Sequence, residues 1–191
     1  MSTRAQRGGW SAALVFLLLP ALKATTIPRL TFEQLTDASD VIASGTVTRS
    51  WAAWDAEHKY IWTHYTLSVG DSAKGNSAST VEFAEPGGAL GATTMSIAGT
   101  VSYGIGDRVV VFLSRMPNGY LRTSGWSQGK YTVSPDGSLH GYASSGAEVI
   151  DARTPPRGTS LTALEGIKFS ELKLRVAAHM RTVSGNTGVK Q

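Results

Sequence analysis

The stretch Gly125-Trp126-Ser127-Gln128-Gly129 spells Gly-x-Ser-x-Gly, the spacing of a nucleophile elbow. In that motif the serine rides a sharp strand-to-helix turn, with glycines where side chains would collide, and its hydroxyl meets a histidine base. Here the following residues, Lys130-Tyr131-Thr132-Val133, are strand formers, and no alternation of strands and helices runs through the chain. The bases on offer are His58, His64, His140 and His179, and none sits in a setting that marks it as the partner of Ser127. A chain with 21 glycines meets such a pentapeptide by chance. The expectation is the bulged start of a strand, and a small serine hydrolase using Ser127 stands third behind two binding functions.

Other reactive patterns also dissolve on inspection. His58 and His64 are six residues apart, so on one strand they share a face about 20 Å from each other, too far to hold one metal ion. Glu85-Pro86-Gly87-Gly88-Ala89-Leu90-Gly91 lacks the Gly-Lys-Ser/Thr ending of a phosphate loop and reads as a wide turn. Ser170-Glu171-Leu172-Lys173 matches Ser-x-x-Lys without the companion motifs of the β-lactamases, and reads as a helix cap. The sequence therefore predicts no catalytic residue, no metal ligand and no cofactor.

Aromatic residues carry more weight. Trp51, Trp54, Tyr60 and Trp62 fall within twelve residues, around the polar turn Asp55-Ala56-Glu57-His58-Lys59. Such rings at a loop tip supply large, stiff contact area. They are the candidate partner-binding residues. The competing reading buries Tyr60 and Trp62 under a C-terminal helix that needs a partner.

The elements that must position them are mostly strands. Thr31 and Gln34 have the spacing of a capping box for a short helical turn. Val41 to Thr48 is a strand with a glycine suited to a bulge. Tyr60 to Val69 alternates, with Ile61, Thr63, Tyr65, Leu67 and Val69 on one face and Tyr60, Trp62, His64, Thr66 and Ser68 on the other. Further strands are expected at Thr80–Ala84, Thr94–Ile97, Asp107–Leu113, Tyr120–Thr123, Gly129–Val133 and Ser138–Tyr142, separated by Gly and Pro turns. The fold class is all-β: a small barrel spanning 25–150. A linker over 151–169, a C-terminal helix over 170–183 and a tail over 184–191 complete the chain. Phe169 is placed to staple onto Leu174, and Leu172, Val176 and Met180 form a narrow apolar stripe. Its three side chains are too few for the barrel to depend on.

Residues 1–24 read as a cleaved signal peptide. Arg4 and Arg7 precede the apolar run Trp10 to Leu22, which is shorter than the roughly 20 residues of a membrane span. The mature protein is then secreted or periplasmic, without stable membrane insertion. Arg4, Arg7 and Lys23 leave with the signal, three of the eighteen Lys and Arg, so fifteen basic side chains face fourteen acidic ones. That balance gives no field for nucleic acid. With no cysteine, no disulfide framework holds the domain.

Three segments together resemble a known family. Ser39-Asp40-Val41-Ile42 enters the first strand, Lys74-Gly75 follows the second, and Gly106-Asp107-Arg108-Val109-Val110 opens a later one. This pattern resembles the netrin-like OB-fold of the tissue inhibitors of metalloproteinases, and most of all a cysteine-free layout in exported bacterial proteins. The resemblance implies an OB-like barrel over residues 25–135 and a protein partner, with a secreted metallopeptidase as one class. In the inhibitors the mature N-terminus reaches the peptidase zinc through its α-amine and carbonyl, so the resemblance adds Thr25 and Thr26 to the candidate residues. The leading expectation is an exported, non-enzymatic protein-binding barrel. The alternative is an oligosaccharide-binding barrel of the same type.

Overall fold

The capping box forms as the spacing predicts. Thr31 Oγ1 accepts from the Gln34 amide at 3.2 Å, and Gln34 Oε1 accepts from the Thr31 amide at 2.9 Å. This opens helix α1 (Phe32–Ala38), which turns Phe32 and Leu35 inward. The computed structural model describes residues 25–75, 78–142, 147–150 and 157–187. The expected signal peptide and the end of the expected tail lie outside them.

Strands β1 (Thr25–Pro28) and β11 (Ala147–Ile150) form a separate parallel pair. The main sheet is antiparallel and has seven strands: β2 (Val41–Trp54), β3 (Ile61–Lys74), β4 (Thr80–Pro86), β7 (Arg108–Arg115), β8 (Leu121–Thr123), β9 (Lys130–Val133) and β10 (Leu139–Gly141). Its order is β10-β9-β7-β2-β3-β4, with β8 also on β7. A small hairpin of β5 (Gly88–Leu90) and β6 (Thr93–Met95) stands apart. Strand β2 runs six residues beyond the expected Thr48, so Trp51 and Trp54 lie in the strand rather than at a loop tip. Its register shifts at Ile42/Ala43, Ser44/Gly45 and Val47/Arg49, and these bulges bend it. A side chain at Gly45 would come within 2.2 Å of the Ser68 carbonyl oxygen, which explains the glycine.

Bending makes two cores. Tyr65, Leu67, Val81 and Phe83 point into the concave side with Val109, Val111 and Leu113, and the segment carrying Val101 and Tyr103 fills the space between them. Ile42, Val110 and Phe112 point to the convex side, onto α1 and helix α2 (Phe169–Thr187). Strand β7 is hydrophobic from Val109 to Leu113 because both its faces are buried there. The ladder does not close into a barrel among the described strands. Instead a side chain bridges β4 and β8: Glu85 accepts from the Thr123 amide at 2.8 Å and from Arg122 Nε at 3.2 Å.

The C-terminal segment departs from the expectations. Of the expected linker, residues 157–168 are docked. The Phe32 amide donates to the Thr159 carbonyl, and Leu164 is fully buried in a 3₁₀ turn. Helix α2 begins one residue earlier than expected, at Phe169, and extends to Thr187. Leu172 and Val176 are fully buried and Met180 packs beside them, as the stripe predicts. The staple does not form: Leu174 is 70% exposed and Phe169 packs on the convex core instead. The helix covers that core and leaves the face carrying Trp62 open.

Candidate functional site

The pentapeptide around Ser127 is a 3₁₀ turn, Trp126–Gly129, interrupting the strand that lies along β7 as β8 and then β9. Gly125 adopts a left-handed backbone, φ 62°, and a side chain there would strike Leu30 at 2.7 Å. At Gly129 it would strike the Ser124 carbonyl at 2.3 Å. Both glycines therefore answer to packing, and a strand follows Ser127, as expected. Ser127 is 4% exposed. The histidines are engaged elsewhere: His140 with Glu165 at 2.6 Å, His179 with Asp37 at 2.8 Å, His58 against Trp54 and His64 against Trp51. Among the described residues no group of three His, Cys, Asp or Glu is placed to hold a metal ion.

The expected aromatic cluster divides between the two faces of the β2–β3 hairpin. Register pairs Trp51 with His64, Ala53 with Trp62, and Trp54 with Ile61. Trp51, His64 and Trp62 thus share the outer face, while Trp54 turns to the inner face and stacks on His58 at 6.4 Å between centroids. Tyr60 sits in the turn, 51% exposed, outside the strand it was expected to begin. Thr25 and Thr26 are in β1, away from this hairpin in the sheet order, and paired with Ala147 and Glu148.

On the outer face Trp51 stacks nearly parallel on His64, 5.2 Å between centroids. The Arg49 guanidinium lies 5.0 Å from the Trp51 ring centre. Tyr120, from the turn between β7 and β8, meets His64 edge-on at 5.0 Å and Trp62 at 5.4 Å. Trp51, His64 and Tyr120 bound a cleft of about 550 Å³ whose lining also includes Arg115, Glu82, Ala84 and Leu121. Burial holds His64 below the ordinary histidine pKa, against the raising influence of the Glu82 carboxylate. Trp62 Nε1 is buried with no hydrogen-bond partner among the described residues.

Sequence reasoning placed His64 on the Trp62 face but missed Tyr120, Arg115 and Glu82. Tyr120 follows the Pro117-Asn118-Gly119 turn, and the hairpin it starts was legible. What was not legible is that β8 comes back beside β4, which carries Tyr120 over β3.

A second hollow, about 570 Å³, lies beneath the glycine-rich segment, between Thr63, Tyr65 and Glu85 on the sheet and Met95 to Ser102 on the loop. Glu85 is 1% exposed, and burial raises its carboxyl pKa despite Thr123 and Arg122. Lys130 is buried too, donating to the Ser102 carbonyl at 2.6 Å between the rings of Tyr103 and Tyr142. These charged groups fasten the plug segment and the strand edges. No described helix is long and apolar enough to cross a membrane. Comparison with protein-family models, with curated proteins and with solved structures finds no match.

Proposed function

We propose that this chain is an exported, non-enzymatic binding domain of netrin-like OB type, and that it holds a segment of another protein in the cleft of Trp51, His64 and Tyr120. The strand order supports the OB reading. Strands β4-β3-β2-β7-β8 follow one another around the concave core, and Glu85 joins the two ends in place of a ladder. In such barrels ligands lie across the second and third strands, between the first hairpin turn and the turn before the last strand. The corresponding elements here are β3, β4, the 55–60 turn and the 116–120 turn, and the cleft lies among them.

The observation that carries the proposal is the meeting of Tyr120 with His64 and Trp62 across that face. A sugar needs a bare ring face to stack on. Trp51 is already stacked on His64, with Arg49 also over its ring, and the neighbouring rings meet edge to face. Ring edges beside Arg115 and Glu82 suit the mixed polar and apolar surface of a protein. Partners captured from the secreted fraction on the immobilised mature protein are titrated against Tyr120→Ala and His64→Ala. The expected outcome is at least tenfold weaker binding by variants that keep the circular dichroism spectrum of the folded domain. A captured partner that binds both variants as tightly as the native protein overturns the reading.

One observation favours a peptidase as that partner. The N-terminal segment is fixed without a disulfide, through the β1–β11 pairing and two bonds from Gln128. A fixed N-terminus is what zinc chelation by Thr25 requires. Inhibition of a panel of zinc endopeptidases, abolished by one alanine added before Thr25, tests it. No inhibition by the mature protein removes the peptidase from the proposal and leaves the cleft.

A further inference from the structure

Strand β2 is paired on both sides only as far as Thr46. Arg108 stands opposite that residue, at the start of β7. Val47 still has partners on that side, since its amide donates to the Asp107 carbonyl at 3.0 Å and its carbonyl accepts from the Gly106 amide at 2.8 Å. Beyond this point β2 has β3 on one side alone. The far end sets which backbone groups are free. The Asp55 amide donates to the Tyr60 carbonyl at 2.9 Å, so this is a hydrogen-bonded pair. Bonded and non-bonded pairs alternate along an antiparallel ladder. Counting back through the register, Ala53, Trp51 and Arg49 turn their amides and carbonyls to β3. Ser50, Ala52 and Trp54 turn theirs outward, and no described residue bonds to them across that edge.

We propose that the edge of β2 from Ser50 to Trp54 takes an extended peptide of a partner protein as an added strand, with acidic residues at the peptide's C-terminal end. Outward amides and carbonyls at two-residue spacing are matched by an extended backbone. Natural edges of this kind are blunted by charged side chains, proline or bulges; Arg49 and the bulge at Val47/Arg49 lie just before the proposed edge, and Ser50-Trp51-Ala52-Ala53-Trp54 itself contains none of these. The β5–β6 hairpin does not fill the place. A side chain at Gly88 would meet Ala52, Ile61 and Thr63, so this hairpin lies against the inner face rather than in line with the sheet.

With the peptide antiparallel to β2, as β7 is, charge fixes which of its ends is acidic. A strand antiparallel to β2 continues the line of β7 and runs toward its start. Its C-terminal end arrives at Arg49 and Arg108, both exposed and neither in an ion pair among the described residues. Every second side chain falls beside Trp51 and Ala53, which extends the floor of the cleft by one strand. The inference rests on the protein-binding reading but uses the free backbone groups of β2 rather than the ring faces of the adjoining cleft, so each can fail alone.

Peptides selected from a random twelve-residue library on the immobilised mature protein serve as the probe. Their affinity is read by fluorescence anisotropy against Ala52→Pro and Tyr120→Ala. Ala52 does not donate to β3, so Ala52→Pro keeps the circular dichroism spectrum while blocking the edge. The expected result is peptides acidic toward the C-terminus that lose at least tenfold in affinity on Ala52→Pro. They lose about fivefold on Arg49→Glu or Arg108→Glu, and bind no longer when alternate peptide amides are N-methylated. If Ala52→Pro does not fold, the N-methylated peptide is decisive by itself.

Binders insensitive to Ala52→Pro and to N-methylation but lost on Tyr120→Ala overturn the edge and keep the cleft. Binders lost on Ala52→Pro and on N-methylation but kept on Tyr120→Ala support the edge and leave the cleft to the test with captured partners. A library that yields no binder overturns the edge. So does a concentration-dependent dimer, in sedimentation, that Ala52→Pro abolishes, since the occupant is then a second copy.

Discussion

Gln128 clamps the backbone on both sides of Arg29: its Oε1 accepts from the Leu30 amide at 2.8 Å and its Nε2 donates to the Pro28 carbonyl at 3.0 Å. The glycines of the pentapeptide thus create a turn whose working side chain is the glutamine, not the serine. Gln128→Ala leaves the Leu30 amide and the Pro28 carbonyl without these partners. The expected cost is about 1–2 kcal/mol of stability, with faster amide exchange over residues 25–30. Unchanged exchange there, measured by mass spectrometry, contradicts the clamp.

Ser127 stands in the same turn, buried and followed by a strand. Folded protein is expected to resist labelling by a fluorophosphonate, and Ser127→Ala to bind captured partners as the native protein does. Stoichiometric labelling that Ser127→Ala abolishes makes the chain a serine hydrolase.

What the sequence showed and what it hid divide along local and long-range interactions. The Thr31–Gln34 box, the alternation along β3 and the Asn118-Gly119 turn are set by neighbours a few residues apart, and each appears where its spacing puts it. The double burial of β7 was visible only as hydrophobicity, because its second face is covered by chain some sixty residues later. Trp54 was misplaced for a simpler reason. The strand continues past Thr48, through a bulge at Val47/Arg49, and the register beyond that bulge decides which rings share a face. The cleft needs Tyr120 from another hairpin, and no period in the sequence encodes that meeting.

The sequence predicts a barrel that folds without helix α2, though less stably, and the packing argues that the fold depends on it. Leu164, Leu172 and Val176 are fully buried, against Ile42, Val110 and Phe112. Leu172→Ala is expected to cost about 2–5 kcal/mol. A chain ending at Ala152 exposes this whole layer and is expected to lose cooperative thermal unfolding. A truncated chain that melts cooperatively within a few degrees of the native protein refutes the two-core account.

Glu85 and His64 give stability opposite pH slopes. Burial raises the Glu85 carboxyl above its ordinary 4.5, so the folded state binds this proton more tightly than the unfolded one. Its contribution is therefore present at acid pH and lost as pH rises from 4.5 through the folded value. Glu85→Gln keeps an acceptor for the Thr123 amide and removes that loss. Glu85→Ala leaves the Arg122 guanidinium buried against Trp126 without its acid, at an expected cost of about 3–5 kcal/mol.

Burial lowers the His64 pKa below 6.5, so the unfolded state binds that proton more tightly. Stability then rises with pH between the folded value and 6.5, and falls as acid protonates the ring against Trp51 and Tyr120. His64→Phe keeps an aromatic ring on Trp51 and cannot titrate. In urea titrations from pH 4 to 7.5, Glu85→Gln is expected to be more stabilised, relative to the native protein, toward neutral pH. His64→Phe is expected to gain relative to the native protein toward acid. The double variant should have neither dependence. Should His64→Phe track the native protein across the whole range, His64 is solvated in the folded state, and the ring cluster that defines the cleft is not packed as described.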